Sequence, residues 1–190
     1  MERTYIEDQK FENIDFSEKE LPETEYDNCS FVNCNFSNAS LSKISFSECD
    51  FNGCNLSMAN LGKTAFKDIR FKNCKLLGLH FDHCDEFLFA VTFEDCILNL
   101  SSFYKRNLKK TKFTNCSLQE TDFVESDLSA SVFDNCDLAN AVFQDSILEK
   151  ADFRTSYNYS INPELNIIKK AKFSIPAVIG LLDKYDIDIE

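Results

Sequence analysis

Tryptophan is absent from this 190-residue chain, and glycine (4), proline (3), methionine (2) and histidine (2) are scarce. So few glycines and prolines exclude a collagen-like chain or a flexible low-complexity one. No stretch approaches the ~20 apolar residues of a membrane span. The opening segment, MERTYIEDQK, is polar and charged rather than signal-peptide-like. A cytoplasmic setting is therefore expected, where thiols stay reduced. The sequence also lacks a glycine-rich phosphate loop, a G-x-S-x-G elbow, a CxxC pair and any zinc motif. An enzyme is not expected, and no cofactor is implied.

What is present is apolar bulk and negative charge. The chain is 44% hydrophobic with 19 phenylalanines, enough to fill the core of one domain. Its net charge of −12 disfavours contact with nucleic-acid phosphates or anionic membranes and admits basic partners. Residues 1–60 carry 12 acids against 4 bases, residues 61–112 carry 6 against 10, and residues 113–155 carry 9 against 2. The middle segment thus interrupts an otherwise acidic chain. Its densest part, YKRNLKKTKF (Lys105, Arg106, Lys109, Lys110, Lys112), reads as a solvated basic face. A nucleic-acid site there runs against the overall charge.

A period of five organises the chain. Ile6, Phe11, Phe16, Leu21, Tyr26, Phe31, Phe36, Leu41, Phe46, Phe51, Leu56, Leu61, Phe66, Phe71, Leu76 and Phe81 form an unbroken series of large apolar residues. At this composition such a run has a chance probability on the order of one in a million. The phase then slips by two and resumes at Leu88, continuing through Phe93, Leu98, Phe103, Leu108, Phe113 and onward to Phe153. Neither a helix, with period 3.6, nor a simple strand, with period 2, produces strict fives. The residue two before each large centre is often small: Cys29, Cys34, Ala39, Cys49, Cys54, Ala59, Ala141, Ala151. Residues two apart in extended chain share a face, so centre and small residue both point inward. One pentad is then one side of a coil, and stacked coils bury what no single pentad can.

The cysteines give the number of sides. Cys34, Cys54 and Cys74 are spaced by twenty, as are Cys96, Cys116 and Cys136, and the step from Cys74 to Cys96 is twenty plus the slip. Twenty residues make four pentads, a square, with these six thiols in one column and Cys29 and Cys49 in a neighbouring one. Buried reduced thiols acting as small hydrophobes account for all nine cysteines. His80, His83 and Cys84 do not converge in this frame, because Cys84 faces in and His80 faces out, so no metal site is expected.

Segments such as CNLSMANLGKTAF (54–66) and CDLANAVFQDSILEKADF (136–153) closely resemble the pentapeptide-repeat motif A-(D/N)-L-x-x. The resemblance covers residues 5–155 and implies an all-β solenoid, a right-handed quadrilateral β-helix. Within the family it points toward the Qnr-type quinolone-resistance proteins, which protect DNA gyrase.

Residues 1–155 are accordingly assigned to the β-helix and 156–190 to a C-terminal segment. There RTSYNYSINPELN reads as a loop, Ile168 and Phe173 fall back into frame, and SIPAVIGLLDK reads as an α-helix capped by Ser174. Ile175, Val178, Ile179 and Leu182 form its apolar stripe, and Tyr185 to Ile189 alternate like a strand. Resemblance to the Qnr-type C-terminus implies a head-to-head homodimer through Ile175, Val178, Ile179, Leu182, Tyr185 and Ile187. The competing reading is that the stripe only caps its own last coil. The slip places a bulge at Asp85 and Glu86; loops at such interruptions contribute to function in Qnr-type proteins, and a tolerated kink is the alternative.

Two functions follow. The resemblance implies a DNA mimic that binds DNA gyrase or another topoisomerase and protects it from quinolones. In that reading the outward acids Asp122, Glu125, Asp127, Asp134, Asp137, Asp145 and Asp152, near the dimer junction, form the partner-binding surface. About eight coils at ~4.8 Å give a rod roughly 38 Å long. The alternative is a protein-interaction scaffold with another partner, since fold does not fix function.

Overall fold

The computed structural model describes residues 5–19 and 21–188, so Ile189 of the expected tail strand lies outside them. Two parallel ladders carry the hydrogen bonding. One joins Tyr5–Glu7, Glu25–Asp27, Ser45–Ser47 and Ala65–Lys67. The other joins Lys10–Glu12, Ser30–Val32, Asp50–Asn52, Ile69–Lys72, Val91–Glu94, Lys112–Thr114 and Val132–Asp134. Register is twenty residues throughout, as in Phe11↔Phe31 and Phe31↔Phe51, except across the slip, where Phe71 pairs with Phe93. The remaining sides pair through single parallel bridges, such as Asn35↔Asn55 and Ser102↔Asp122.

The result is a parallel β-solenoid with four walls per coil. Wall 1 carries the centres Tyr26, Phe46, Phe66, Leu108, Leu128 and Leu148. Wall 2 carries Phe31, Phe51, Phe71, Phe93, Phe113, Phe133 and Phe153. Wall 3 carries Phe36, Leu56, Leu76, Leu98, Leu118 and Leu138, and wall 4 carries Leu41, Leu61, Phe81, Phe103, Phe123 and Phe143. All of these are buried. Along wall 2 the rings stack coil upon coil from Phe11 to Phe173, with centroids 4.7 to 5.5 Å apart. That spacing is close to the strand separation, so ring stacking and backbone pairing reinforce one another.

The cysteine column forms as the spacing requires. Cys34, Cys54, Cys74, Cys96, Cys116 and Cys136 share wall 3, and all nine cysteines are buried and free. Their role goes beyond bulk. Cys54 Sγ donates to the Phe31 carbonyl at 3.3 Å, Cys74 to Phe51 at 3.3 Å and Cys136 to Phe113 at 3.4 Å. Hydroxyls at the same inward position do likewise: Thr64 to the Leu41 carbonyl, Ser146 to Phe123 and Ser156 to Phe133, at 2.6 to 2.7 Å. Each reaches the centre residue 23 positions back and gives its buried carbonyl a further partner.

Corners form at the residue two after most centres, which adopts the left-handed backbone region. Asn28, Lys63, Leu100 and Glu120 have φ of 48°, 61°, 61° and 56°. This conformation strains a non-glycine residue, and asparagine least. The adjacent coil holds them there: the Asn28, Lys63 and Glu120 amides donate to the Ser47, His83 and Ala139 carbonyls at 2.8 to 2.9 Å.

Two expectations need correction. The slip does not hand the centre to Leu88, which is exposed with φ of 57°. Phe89, half-buried, packs on the core instead. The C-terminal segment forms two 3₁₀ turns, Val178–Leu181 and Asp183–Tyr185, rather than an α-helix. The Gly180 carbonyl accepts from the Ile161 amide at 2.9 Å, which ties the segment to the last coil. Gly180 also sits so close to Tyr159 that a β-carbon would collide with the Tyr159 carbonyl oxygen. The tail adds no strand among the described residues, because Asp186 turns into the left-handed region at φ 48°.

Burial pushes the Cys49 thiol up to about 12 and raises Cys84 as well. Because all nine thiols are buried, they are expected to react negligibly with a thiol-specific reagent in the native protein and fully in denaturant. Rapid native labelling of the wall 3 cysteines, read by intact-mass analysis, would contradict the closed tube.

Candidate interaction surface

The interior is packed, so any function lies on the outer walls. A groove of about 560 Å³ is open and runs along wall 2 between the outward rows of its strands. Its charges are paired across coils, Arg70 with Asp50 at 2.5 and 2.9 Å and Lys72 with Glu94 at 2.7 Å.

The predicted acidic surface is distributed around the tube. Asp127 lies on wall 1, Asp134 and Asp152 on wall 2, Asp137 on wall 3, and Asp122, Glu125 and Asp145 on wall 4 and its corner. Four of them stand immediately before a centre and perform the same local task. Asp122, Asp127, Asp137 and Asp152 accept the amides of Val124, Ser129, Ala139 and Arg154, two residues on, at 2.8 to 3.2 Å. This is an Asx turn, and it explains the D/N of the motif in the pentads that carry it. Burial pushes the Asp137 and Asp127 carboxyls upward, yet hydrogen bonds outweigh it and hold both below the ordinary value. The donors are Gln119 and Asn158 for Asp137, and Ser129 and Lys109 for Asp127. Arg154 holds Asp152 down in the same way. Their stabilisation is complete above the unfolded carboxylate pKa of about 4 and is lost as pH falls through the lower folded values.

The basic segment meets these acids. Lys105 pairs with Glu125 at 3.3 Å and Lys109 with Asp127 at 3.0 Å, both one coil away. Of the remaining predicted acids, Asp134 accepts from Thr155 at 2.8 Å and Asp145 from Gln144 at 3.2 Å.

Arg106 does not belong to the basic face. It occupies the small inward position of its pentad, two before Leu108, and is 4% exposed. The slip explains why. Between Cys84 and Val91 wall 1 supplies no fully buried centre, since Asp85, Glu86, Phe87 and Leu88 are all exposed. The Arg106 side chain occupies that space from the next coil. Its Nη2 donates to the Asp82 and Cys84 carbonyls at 2.5 and 2.6 Å, and its guanidinium lies 5.5 Å from the Phe89 ring centroid. Its Nη1 is buried with no hydrogen-bond partner among the described residues. The predicted bulge is thus a loop anchored from inside. The Asp85 amide bonds the Thr64 carbonyl, the Ala90 amide bonds the Phe66 carbonyl, and the Asp85 carboxylate accepts the Phe87 amide at 2.8 Å. Phe87 and Leu88 project from it, 69% and 62% exposed. The phase break flagged the loop in the sequence; the two apolar residues at its tip were hidden because Leu88 fitted the period.

At the C-terminal end, Ile175, Val178, Ile179, Tyr185 and Ile187 are exposed, Ile175 to 89%, and Leu182 is half-buried. The turns close the last coil through the Ile161–Gly180 bond and leave an apolar outer surface. No helix among the described residues is long and apolar enough to cross a membrane.

These features coincide with two family matches. A model described as pentapeptide repeats (8 copies) matches residues 29–68, and one described as a pentapeptide repeat region matches residues 87–158. The chain belongs to the pentapeptide-repeat family. Among solved structures, HetL, a pentapeptide repeat protein involved in heterocyst differentiation regulation from the cyanobacterium Nostoc sp. strain PCC 7120, is 14% identical. That match covers 90% of this chain and 87% of HetL, with a TM-score of 0.53. A trypsin-treated variant of QnrB1, a plasmid-mediated fluoroquinolone resistance protein, is 18% identical over 99% of this chain and 98% of its own, with a TM-score of 0.47. Full-length QnrB1 is 17% identical over 97% and 100%, with a TM-score of 0.39. No curated protein sequence matches. At these identities the likeness is one of fold.

Arg106→Ala is expected to destabilise the protein by about 2–4 kcal/mol in urea denaturation, through a cavity and two lost charge-assisted bonds. Lys109→Ala, which removes only an exposed pair, should stay within ~0.5 kcal/mol. Equal costs for the two would show that Arg106 is not the internal anchor of the loop.

Proposed function

We infer that this chain is a non-enzymatic binding protein that docks a basic protein partner on its outer walls, with the Asp85–Ala90 loop as part of the contact. The observation carrying this reading is the loop itself. Two large apolar side chains stand exposed beside Asp85 and Glu86 on a backbone fixed from within by Arg106. A pre-organised apolar anchor loses little entropy on docking, and the net charge of −12 favours a cationic partner.

In its sharper form the partner is a DNA topoisomerase such as gyrase, the chain acting as a right-handed, duplex-width DNA mimic that protects the enzyme from quinolones. The net charge supports it, together with the exposed Glu125 and Asp145, twenty residues apart at one corner, and the exposed Asp134 on wall 2. Titrating the purified protein into a gyrase supercoiling reaction, with and without a fluoroquinolone, is expected to inhibit supercoiling or restore it in the presence of drug. Neither effect at micromolar protein would eliminate the gyrase form and leave the scaffold reading, for which Phe87→Ser/Leu88→Ser is the probe variant.

A homodimer through the C-terminal turns belongs to the same proposal, supported by the exposed Ile175, Ile179 and Ile187. Light scattering should give twice the chain mass, falling to a monomer for Ile175→Glu/Ile179→Glu with an unchanged circular dichroism spectrum. A monomeric parent protein would refute the dimer.

A further inference from the structure

The chain's two histidines lie three residues apart, and the structure brings a carboxylate between them. His80, Asp82 and His83 stand on wall 4, where the coil opens into the loop, with one potential ligand atom from each within 4.8 Å of the others. Phe81–His83 is a 3₁₀ turn. Three residues per turn bring positions i and i+3 onto one side, and the two imidazoles stack with centroids 4.8 Å apart. Asp82 replaces Cys84 as the third member, since Cys84 is buried in the tube.

We propose that His80, Asp82 and His83 form a surface site for one divalent transition-metal ion of the zinc or cobalt type. His80 Nδ1 lies 3.2 Å from one Asp82 oxygen and His83 Nε2 lies 3.5 Å from the other. A tetrahedral ion with bonds near 2.0 Å spaces its ligands by about 3.3 Å. The near-parallel rings, 12° apart, require one imidazole to rotate toward a shared ion, and both side chains are more than half exposed and free to do so. The carboxylate is only 17% exposed and lies against these two imidazoles.

The backbone beneath is held from both neighbouring coils. The Lys63 amide donates to the His83 carbonyl, the Phe81 amide donates to the Ser102 carbonyl, and Arg106 fixes the Asp82 carbonyl. The buried Phe81 anchors the turn. Two nitrogen ligands and one carboxylate select borderline ions over magnesium or calcium, and three protein ligands leave the remaining positions to water. An ion clasped by His80 and His83 would brace the turn from which the exposed loop springs. This inference stands independently of any partner.

Untagged full-length protein should bind one Zn²⁺ per chain by calorimetry, and Co²⁺ should give the visible absorption of a low-symmetry site. His80→Ala, His83→Ala and Asp82→Asn are each expected to weaken Zn²⁺ binding at least about tenfold, with an unchanged circular dichroism spectrum. With only two histidines, their ring resonances in NMR report ligation directly, and both should shift on zinc addition. No saturable binding up to about 100 μM free Zn²⁺ would overturn the site. So would binding that leaves the imidazole signals in place or survives in His80→Ala/His83→Ala, because the ion would then be held by other groups.

Discussion

Everything in this molecule depends on a tube of fixed cross-section. Each coil must deliver four large side chains and four small ones to an interior whose spacing is set by strand pairing at about 4.8 Å. The phenylalanine stack of wall 2 shows how closely side chains and backbone agree, with ring separations such as 4.7 Å for Phe31–Phe51 and 5.5 Å for Phe71–Phe93. Because both repeat at one interval, no coil can change dimension without disturbing its neighbours. The constraint reaches the polar atoms as well. A thiol or hydroxyl at the small position offers the buried centre carbonyl of the coil before a donor, as Cys74 does for Phe51 and Thr64 for Leu41. Alanine at that position offers volume without a donor.

The slip shows what happens when the rule is broken. Two added residues remove a centre from wall 1, and the space is filled by an arginine from the next coil. By composition alone a charged group is a poor filler, but its length and planar head suit the gap. The stem spans one coil, and the head meets two carbonyls that the interrupted ladder leaves over. The same event turns Phe87 and Leu88 outward and tightens Phe81–His83 into a 3₁₀ turn. The exposed apolar pair and the paired histidines thus share one structural origin.

The wall assignment, the six-thiol column and the position of the interruption were legible in the sequence, because each is a matter of counting in fives and twenties. What counting could not reach were the exceptions. Arg106 looked like its lysine neighbours, since only its place two before Leu108 distinguishes it. Leu88 fitted the period but lost its place to Phe89, because the loop takes its bonds from Thr64 and Phe66. The Ile175–Leu182 stripe has helical spacing, yet the segment docks on the last coil as 3₁₀ turns, with Gly180 against Tyr159 and its carbonyl bonded to the Ile161 amide. In each case a contact distant in sequence overrode a local pattern.

The acidic residues separate the demands of fold from those of recognition. Asp122, Asp127, Asp137 and Asp152, one on each wall, stand immediately before a centre and commit the carboxylate to the amide two residues ahead, whereas Asp50, before Phe51, pairs with Arg70 instead. Such residues add negative charge to the surface without choosing where it goes. Positions one and two after the centre carry no such duty. There stand Asp134, Asp145 and Glu125, and there too stand Lys105, Lys109 and Lys110. The repeat thus commits three of its five side chains to building the tube, holds the corner through its backbone, and leaves the side chains of two positions to vary with what the surface must meet. A charge pattern that recognises a partner has to be written in those two, and along this chain they alternate from acidic to basic and back within a few coils.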